Sequence, residues 1–390
     1  MRMDDTKIRA LKLHEENRGK LEIRSKVAVN SADDLALAYT PGVAEPCKKI
    51  HEDESLAYKY TNKANQVAVV TDGSAVLGLG NIGALAGMPV MEGKCVLFKE
   101  FAGVDAFPIC LNTQDVDEIV KAVELIAPSF SGINLEDISA PKCFEVEKIL
   151  KDRLDIPVFH DDQHGTAIVV LAAIINSLKL VGKEIGDCKI VISGAGAAGV
   201  AIAKLLTLYG AKNILLLNRR GVLDPDDESL DVYRLEIART TNPEREKGEL
   251  REAIKGCDIF IGVSAPGILT GEMVKSMNKD AIVFALANPV PEIYPDEALS
   301  NGAKVVGTGR SDFPNQVNNV LVFPGIFRGA LDCGAKKITD KMKLAAAKAL
   351  SDMVEDPRED RVLPDAFDRD ISKRVAKAVV ESYKEEVDGE

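Results

Sequence analysis

The chain has 390 residues, of which 46% are hydrophobic and 28% are charged, and its formal net charge is −12. This length exceeds one ordinary hydrophobic core, so two domains are expected, and the acidic charge argues against nucleic acid or an anionic membrane as a partner. The sequence shows neither an apolar run of membrane-spanning length nor an apolar secretion core at its N-terminus. Seven scattered cysteines without a Cys-x-x-Cys pair indicate reduced thiols and a cytoplasmic location.

The first part of the chain predicts a mixed α/β unit. Residues 8–25 are typical of a helix, and Pro41 and Gly42 end the regular segment that begins at residue 35. Short apolar runs predict strands, and apolar residues at helical spacing predict helices. The strands are predicted at 66–71, 95–98 and 106–109, and the helices at 115–126 and 144–154.

Residues 166–180 predict a helix that is apolar nearly all round, as expected for a helix buried between domains. Strands then alternate with helical or loop segments, which indicates a parallel, doubly wound sheet. The strands are predicted at 189–193, 213–217, 258–263, 281–287 and 304–307, and the helices at 194–209, 337–353 and 371–385. The expected fold class is α/β with two domains, a mixed domain over residues 1–163 and a Rossmann-type domain over residues 164–390, whose last helices could pack back on the first.

Two acidic pairs are the strongest sign of a functional site. Asp161 and Asp162 follow one strand-like apolar run, and Glu136 and Asp137 follow another. Burying such pairs is costly unless a cation or a proton compensates them. Three hard oxygen ligands from two strand ends would suit Mg²⁺ or Mn²⁺. The alternative is that these carboxylates are solvated surface groups or helix caps.

The histidines beside the second pair suggest a rival metal. His160 and His164 have the i,i+4 spacing of a zinc-protease helix. That motif requires Glu after the first histidine, where this chain has Asp161, and it requires both histidines on one helix. Pro157 and Gly165 instead favour a passage from strand to loop to helix.

A glycine turn predicts a dinucleotide site. The run Gly194-Ala195-Gly196-Ala197-Ala198-Gly199 follows a predicted strand and opens a predicted helix, which is the context such a turn needs. The free N–H groups at the helix start would face the phosphates. Residues 78–83 also fit the glycine pattern, but they stand apart from their strand, and Pro89 is expected to interrupt any long helix after them. We interpret them as a glycine loop that lines a pocket.

The end of the second strand of this unit bears on the choice of cofactor. An NAD site usually places Asp or Glu there, whereas this chain has Asn218, Arg219 and Arg220. No carboxylate would repel a 2′-phosphate, and two guanidinium groups could bind it, which favours NADP. The alternative is that both arginines are solvated surface charges.

With these motifs, the chain resembles the short bacterial and archaeal type of malic enzyme over about residues 35–325. The motifs that carry the resemblance are Leu37–Val43, Leu77–Gly83, Pro89–Lys94, Ile133–Ile138, His160–Ala167, Ala287–Pro289 and Asn315–Gly325. The resemblance implies oxidative decarboxylation of L-malate to pyruvate and CO₂ with NADP or NAD and Mg²⁺ or Mn²⁺. It also implies a homodimer or a larger homo-oligomer.

The resemblance also assigns roles to individual residues. It implies that Tyr39 is the general acid and that Lys94, in contact with substrate, is the general base. The other implied residues bind ligands, the metal at Glu136, Asp137 and Asp162, and cofactor or substrate at Asn288 and Asn319. A nearby cation would lower the pKa of Lys94 toward neutrality and allow it to accept the proton of the malate C2 hydroxyl.

One departure from the family pattern concerns the substrate carboxylate. Larger eukaryotic members carry an arginine before the glycine loop, and residues 72–77 contain none. The groups that could replace it are Asn319, Asn288, Arg310 and the backbone N–H groups of residues 78–83. Two alternatives stay open, a malolactic enzyme that makes lactate with bound NAD and a non-catalytic nucleotide-binding protein.

Overall fold

The computed structural model describes residues 3–76, 78–242 and 244–389. The first lobe contains four strands, β1 Gln66–Thr71, β2 Asp105–Cys110, β3 Gly132–Leu135 and β4 Val158–His160. They form an all-parallel sheet in the order β2-β1-β3-β4, in which Val67 pairs with Ala106 on one side and Gly132 on the other. Strand β1 is buried from Val67 to Thr71, as expected for a central strand covered on both faces.

The helices of the first lobe begin with a cluster of short elements. They are α1 Met3–Asn17, α2 Ala32–Ala38, α3 Ala44–Glu52, α4 Ala57–Tyr60, α5 Ala84–Ala102, α6 Val116–Ile126 and α7 Lys142–Arg153. Helix α1 ends at Asn17 rather than near residue 25 as predicted. None of the residues in α2, α3 and α4 is buried, so this part of the lobe contributes little to the core.

Two predictions around α5 are wrong. Residues 95–98 are not a strand but part of this helix, which also contains Pro89. The helix buries Met91, Lys94, Cys95 and Phe98, whose spacing is that of one helical face. Burial of this face outweighs the single hydrogen bond that the proline removes.

Helix α8, Asp161–Val181, leaves strand β4 directly, so the predicted loop after the strand is absent and Gly165 lies inside the helix. Among the described residues, one helix, α8, is long and apolar enough to cross a membrane. No apolar run of that length was expected from the sequence. Because 72% of its apolar window is buried, it is the core helix that was predicted between the lobes.

The second lobe holds six strands, β5 Lys189–Ser193, β6 Asn213–Asn218, β7 Gly221–Val222, β8 Ile259–Gly262, β9 Ala281–Ala285 and β10 Ala303–Thr308. The sheet order is β10-β9-β8-β5-β6-β7, and all pairs are parallel except the short edge pair β6-β7. This confirms the doubly wound sheet. The helices are α9 Ala197–Tyr209, α10 Val232–Thr241, α11 Leu250–Ala253, α12 Gly271–Lys275, α13 Pro295–Ser300, α14 Phe323–Cys333, α15 Asp340–Ser351 and α16 Ile371–Asp388.

Helix α14 packs against the first lobe. The ring of Phe98 on α5 meets Phe323 at 4.8 Å and Phe327 at 5.3 Å between centroids, both edge-on. Phe327 also lies against Phe159 of β4 and against Gly132, where a Cβ atom would come within 3.0 Å of its ring. One continuous apolar core therefore joins both sheets through α8 and α14.

Candidate active site

Three carboxylates meet at the carboxyl end of the first sheet. Glu136 and Asp137 directly follow β3, and Asp162 lies in the first turn of α8, directly after β4. One ligand oxygen from each lies within 4.8 Å of the others. Strands β3 and β4 are parallel neighbours, so their carboxyl ends bring the two acidic pairs together, as the sequence predicted.

The electrostatics of this cluster fit a divalent cation. Burial, together with the negative charges of Asp162, Asp161 and Asp137, raises the pKa of Glu136 well above its usual value, although Lys94 opposes the shift. The backbone N–H of Asp137 donates to Asp162 Oδ2 at 2.9 Å, which ties two carboxylate-bearing segments together. A hard cation would relieve the mutual repulsion of three oxygen donors held this close.

Lys94 is buried beside the cluster on α5. Its Nζ donates to Asp161 Oδ2 at 2.6 Å, lies 2.9 Å from Glu136 Oε1, and sits 4.3 Å from the centre of the Phe323 ring. Burial acts to lower the pKa of Lys94, but Asp161 and Glu136 outweigh it and raise the pKa above its ordinary value. The described side chains thus act against the expected lowering, because two carboxylates face the amine directly.

Asp161 is a residue of this cluster that the sequence did not single out. It was predicted only as one member of an acidic pair, yet it is fully buried and is the nearest partner of Lys94. Its Oδ1 has no hydrogen-bond partner among the described residues, and a Cβ atom on Gly165 would lie 1.9 Å from that oxygen. The signal in the sequence was Gly165 itself, one turn after Asp161, where only glycine leaves room for the carboxylate.

The zinc alternative gains no support from the geometry. His160 ends strand β4 and His164 lies on α8, where its Nε2 is 2.7 Å from Glu147 Oε1. The metal-competent cluster found among the described residues contains no histidine. His160 is fully buried, and within the described part of the chain neither ring nitrogen has a hydrogen-bond partner.

Tyr39 is not brought to this cluster within one chain. The residue caps the C-terminus of α2 through its backbone, and its side chain is 67% exposed. Among the described residues, its hydroxyl makes no hydrogen bond to Lys94 or to the carboxylates.

The glycine loop at residues 78–83 lies between the lobes. It connects β1 to α5, and Asn81 and Gln114 exchange two side-chain hydrogen bonds of 3.1 and 2.9 Å beside it. Gly78 has a φ of 75°, and a Cβ atom there would come within 2.5 Å of the carbonyl oxygen of Asn288 in the second lobe. Leu77, the first residue of this motif, lies outside the described residues.

The candidate substrate groups of the second lobe reach the same cleft to different degrees. Asn319 opens a short 3₁₀ turn and lies against α8, because a Cβ on Gly165 would be 3.2 Å from the Asn319 Cβ. Asn288 precedes a cis proline, and its backbone carbonyl faces the glycine loop, whereas its side-chain amide lies against Gly309, where a Cβ would be 2.5 Å from Nδ2. Arg310 is already paired, with Asp312 at 2.8 and 2.6 Å and with the Pro289 carbonyl at 2.8 Å.

A cavity of about 960 Å³ lies over the glycine turn of the second lobe. Gly194 has a φ of 120°, and a Cβ there would be 2.5 Å from the Val263 carbonyl oxygen, so the turn needs glycine. A Cβ on Gly199 would be 1.8 Å from the Gly194 carbonyl, which explains that glycine as a helix–strand contact. Helix α9 begins at Ala197, directly after the turn. Of the residues predicted for the cofactor, Gly194–Gly196 and Asn218–Arg220 line this cavity, whereas Ala197–Gly199 and Asn288 do not.

Both lobes of the chain are similar to known proteins. Residues 18–151 match the family model of the malic enzyme N-terminal domain, and residues 163–384 match that of the malic enzyme NAD binding domain. A bifunctional malic/malolactic enzyme from Bacillus subtilis is 58% identical over 96% of this chain and 92% of its own. An NADP-dependent malic enzyme from Escherichia coli is 48% identical over 95% of this chain, which spans only 49% of that protein.

The solved structures agree with these matches. A malic enzyme from Pyrococcus horikoshii superposes with a TM-score of 0.94 and 50% identity, covering 98% of this chain and 92% of the other. An NAD-dependent malic enzyme from Thermotoga maritima superposes with a TM-score of 0.93 and 50% identity, covering 95% and 98%.

Proposed function

The chain belongs to the malic enzyme family, and from that premise we propose that its cleft oxidatively decarboxylates L-malate to pyruvate and CO₂ with a divalent metal and NADP or NAD. The observation that carries the proposal is the burial of Lys94 between Asp161 and Glu136, beside two further carboxylates. Enzymes place titratable groups of opposite charge in this way where protons must be moved.

We propose that Glu136, Asp137 and Asp162 hold the metal and that Asn288 and Asn319 contact cofactor and substrate. The bound metal would polarise the C2 oxygen of malate and offset the carboxylate charge that keeps Lys94 protonated, while the nicotinamide would accept the C2 hydride. Lys94 takes the proton of the C2 hydroxyl, and Asp161 holds the resulting ammonium. After CO₂ leaves, Tyr39 is proposed to donate a proton to C3.

The proposal is tested by a single coupled assay. Purified protein is incubated with L-malate and either NAD⁺ or NADP⁺, with Mn²⁺ or with EDTA. We expect equal amounts of pyruvate and reduced cofactor with Mn²⁺, and neither with EDTA. Reduction of the cofactor that is unaffected by EDTA would contradict the metal-assisted mechanism.

A malolactic activity is the second candidate, and the relative named a bifunctional malic/malolactic enzyme favours it. The same residues would serve both reactions, because only the fate of the reduced cofactor differs. In the assay above, lactate formed without net cofactor reduction would identify this second activity.

The cofactor preference is proposed to lie in Asn218–Arg220 at the end of β6. No carboxylate stands there, although Arg220 is partly engaged, since its guanidinium donates to Ser229 Oγ at 3.0 Å and lies 3.2 Å from Asp227. Arg219 is exposed on the rim of the cofactor cavity. Relatives include both NAD-dependent and NADP-dependent enzymes, so we propose NADP preference or dual specificity.

Replacing both Arg219 and Arg220 with glutamine should raise the KM for NADP⁺ far more than that for NAD⁺. The loss of charge-assisted phosphate contacts is worth about 1.5–3 kcal/mol, or about 10- to 150-fold. Steady-state kinetics with each cofactor measure the difference. Arg245→Gln, which removes an exposed arginine paired with Asp226, is the control. Equal changes for both cofactors would refute a role for the arginines in binding the 2′-phosphate.

We propose that the protein is a homodimer that covers its N-terminal segment. Of the 25 large hydrophobic side chains exposed among the described residues, 11 precede residue 44. Monomeric proteins seldom expose apolar groups at this density. Because Tyr39 lies in this segment and does not contact its own chain's carboxylates, we propose that it acts in the cleft of the partner.

Mixed dimers of two inactive variants test this arrangement. One chain carries Tyr39→Phe and the other Lys94→Met. If the tyrosine acts in the partner's cleft, each mixed dimer contains one cleft with both wild-type groups, and co-refolding or co-expression restores activity to about half per mixed dimer. Mixed dimers that stay inactive would show that both groups act within one chain.

A further inference from the structure

Glu147 on α7 is a buried carboxylate that belongs neither to the metal cluster nor to the Lys94 pair. It is 5% exposed, and its oxygens accept hydrogen bonds from groups on β4 and α8. The donors are the backbone N–H of His160 at 3.2 Å, Gln163 Nε2 at 3.4 Å and His164 Nε2 at 2.7 Å, and Lys151 Nζ lies 2.7 Å away. One carboxylate thus contacts residues 160, 163 and 164, on both sides of the junction between β4 and α8.

The contacts of Glu147 flank the two acidic residues of the site in the sequence. His160 directly precedes Asp161 and Asp162, and Gln163 directly follows them. The two acidic residues whose geometry the chemistry needs are therefore clamped on both sides by one side chain from another element. Helix α8 has no side-chain N-cap at His160, and the other contacts of its first turn are those of Lys94 with Asp161 and of the Asp137 N–H with Asp162.

The charge of Glu147 is well compensated. Burial acts to raise its pKa, but contact with His164 and Lys151 holds the pKa well below its usual range. His164 Nε2 lies 2.7 Å from Glu147 Oε1 and 3.0 Å from Glu147 Oε2, within hydrogen-bond distance of both oxygens. Glu147 is therefore an ionised acceptor, and its oxygens bind groups of the junction between β4 and α8.

We propose that Glu147 is a positioning residue that sets the orientation of Asp162 toward the metal and of Asp161 toward Lys94. The inference rests on the proposed metal-assisted function. Carboxylates behind a metal ligand typically change metal affinity or activity about 10- to 100-fold when they are removed. Here the carboxylate acts through the backbone of β4 and the first turn of α8.

The test measures Mn²⁺ affinity without substrate, by electron paramagnetic resonance of free Mn²⁺, together with kcat and KM for malate. Glu147→Gln keeps the shape of the side chain but replaces an acceptor oxygen with a donor, so it is the variant expected to fold. We expect it to bind Mn²⁺ about 10-fold more weakly, and Glu147→Ala up to about 100-fold, with kcat reduced by a similar factor.

Chemical rescue separates positioning from a general loss of packing. A cavity of about 370 Å³ borders Glu147, Lys151 and His164, which leaves room for a small carboxylate once the side chain is shortened. Formate added to Glu147→Ala should restore Mn²⁺ affinity by several-fold and should not affect the wild-type protein. Should Glu147→Ala fail to fold, the Mn²⁺ affinity of Glu147→Gln decides the question.

Asn176→Ala is the matched control, because Asn176 is a buried polar residue on α8, the helix that carries Asp161 and Asp162, and donates to the carbonyls of Ser351 and Val362. It should lower the melting temperature and leave Mn²⁺ affinity unchanged. If Glu147→Gln retained wild-type Mn²⁺ affinity, this inference would be overturned but the proposed function would not. A wild-type protein that binds no Mn²⁺ would overturn the proposed function instead.

Discussion

Replacing Lys94 with methionine is expected to lower kcat for malate oxidation by about 10²- to 10⁴-fold, the usual contribution of a positioned general base. The same substitution removes the ammonium that faces Asp161 at 2.6 Å and Glu136 at 2.9 Å. Breaking a buried ion pair from one side costs about 3–5 kcal/mol, because an uncompensated charge remains. Stopped-flow or steady-state kinetics and thermal unfolding measure the two effects.

Lys99→Met is the matched control for Lys94→Met. Lys99 lies on the same helix and pairs with Asp105 at 2.7 Å, but its side chain is 58% exposed. Exposed ion pairs contribute about 0–1 kcal/mol, so the control should remain active and nearly as stable as the wild type. A Lys94→Met protein with normal turnover would contradict the assignment of Lys94 as the general base.

Asp162→Asn is expected to abolish metal-dependent activity by weakening Mn²⁺ binding by more than about 100-fold, the upper range for residues that only support a ligand. Without metal, the variant should be at least as stable as the wild type, because one of several repelling carboxylates is neutralised beside Glu136. The amide oxygen of asparagine can still accept the Asp137 N–H. Thermal unfolding with and without Mn²⁺ separates affinity from folding.

In the wild type, Mn²⁺ at 100 times its dissociation constant should stabilise the fold by about 2.7 kcal/mol. That stabilisation should vanish in Asp162→Asn and persist in Asp155→Asn, whose carboxylate is 88% exposed and pairs with Lys336 on the surface. An equal Mn²⁺-dependent shift in Asp162→Asn and the wild type would place the metal elsewhere.

The sequence predicted the parts of the site that depend on local pattern. A glycine turn between a strand and a helix has its own spacing, and the structure shows both the positive φ at Gly194 and the tight contact at Gly199. The two acidic pairs were predicted to share a metal because each follows a strand-like apolar run, and in the structure the parallel strands β3 and β4 bring them together at one edge of the sheet. The proposed roles of these residues remain predictions.

Other parts depend on contacts that no local pattern contains. Lys94 pairs with Asp161, 67 residues away, and no local pattern distinguishes Asp161 from Asp162 as its partner. Pro89 suggested an interrupted helix, but the buried face of α5 outweighed it. The proposed role of Tyr39 requires a second chain, and the sequence of one chain does not show which residues meet across a dimer.

The course of α8 limits how this architecture can be recombined. The helix carries the proposed metal ligand Asp162 in its first turn, and its buried middle belongs to the core shared by both lobes. The predicted domain boundary between residues 163 and 164 falls inside it. A chimaera that exchanged residues 164–390 at this boundary would place a helix from another protein directly after the proposed metal ligand Asp162. We therefore expect cofactor preference to change more easily by point substitutions at the mouth of the nucleotide cavity than by exchange of whole lobes.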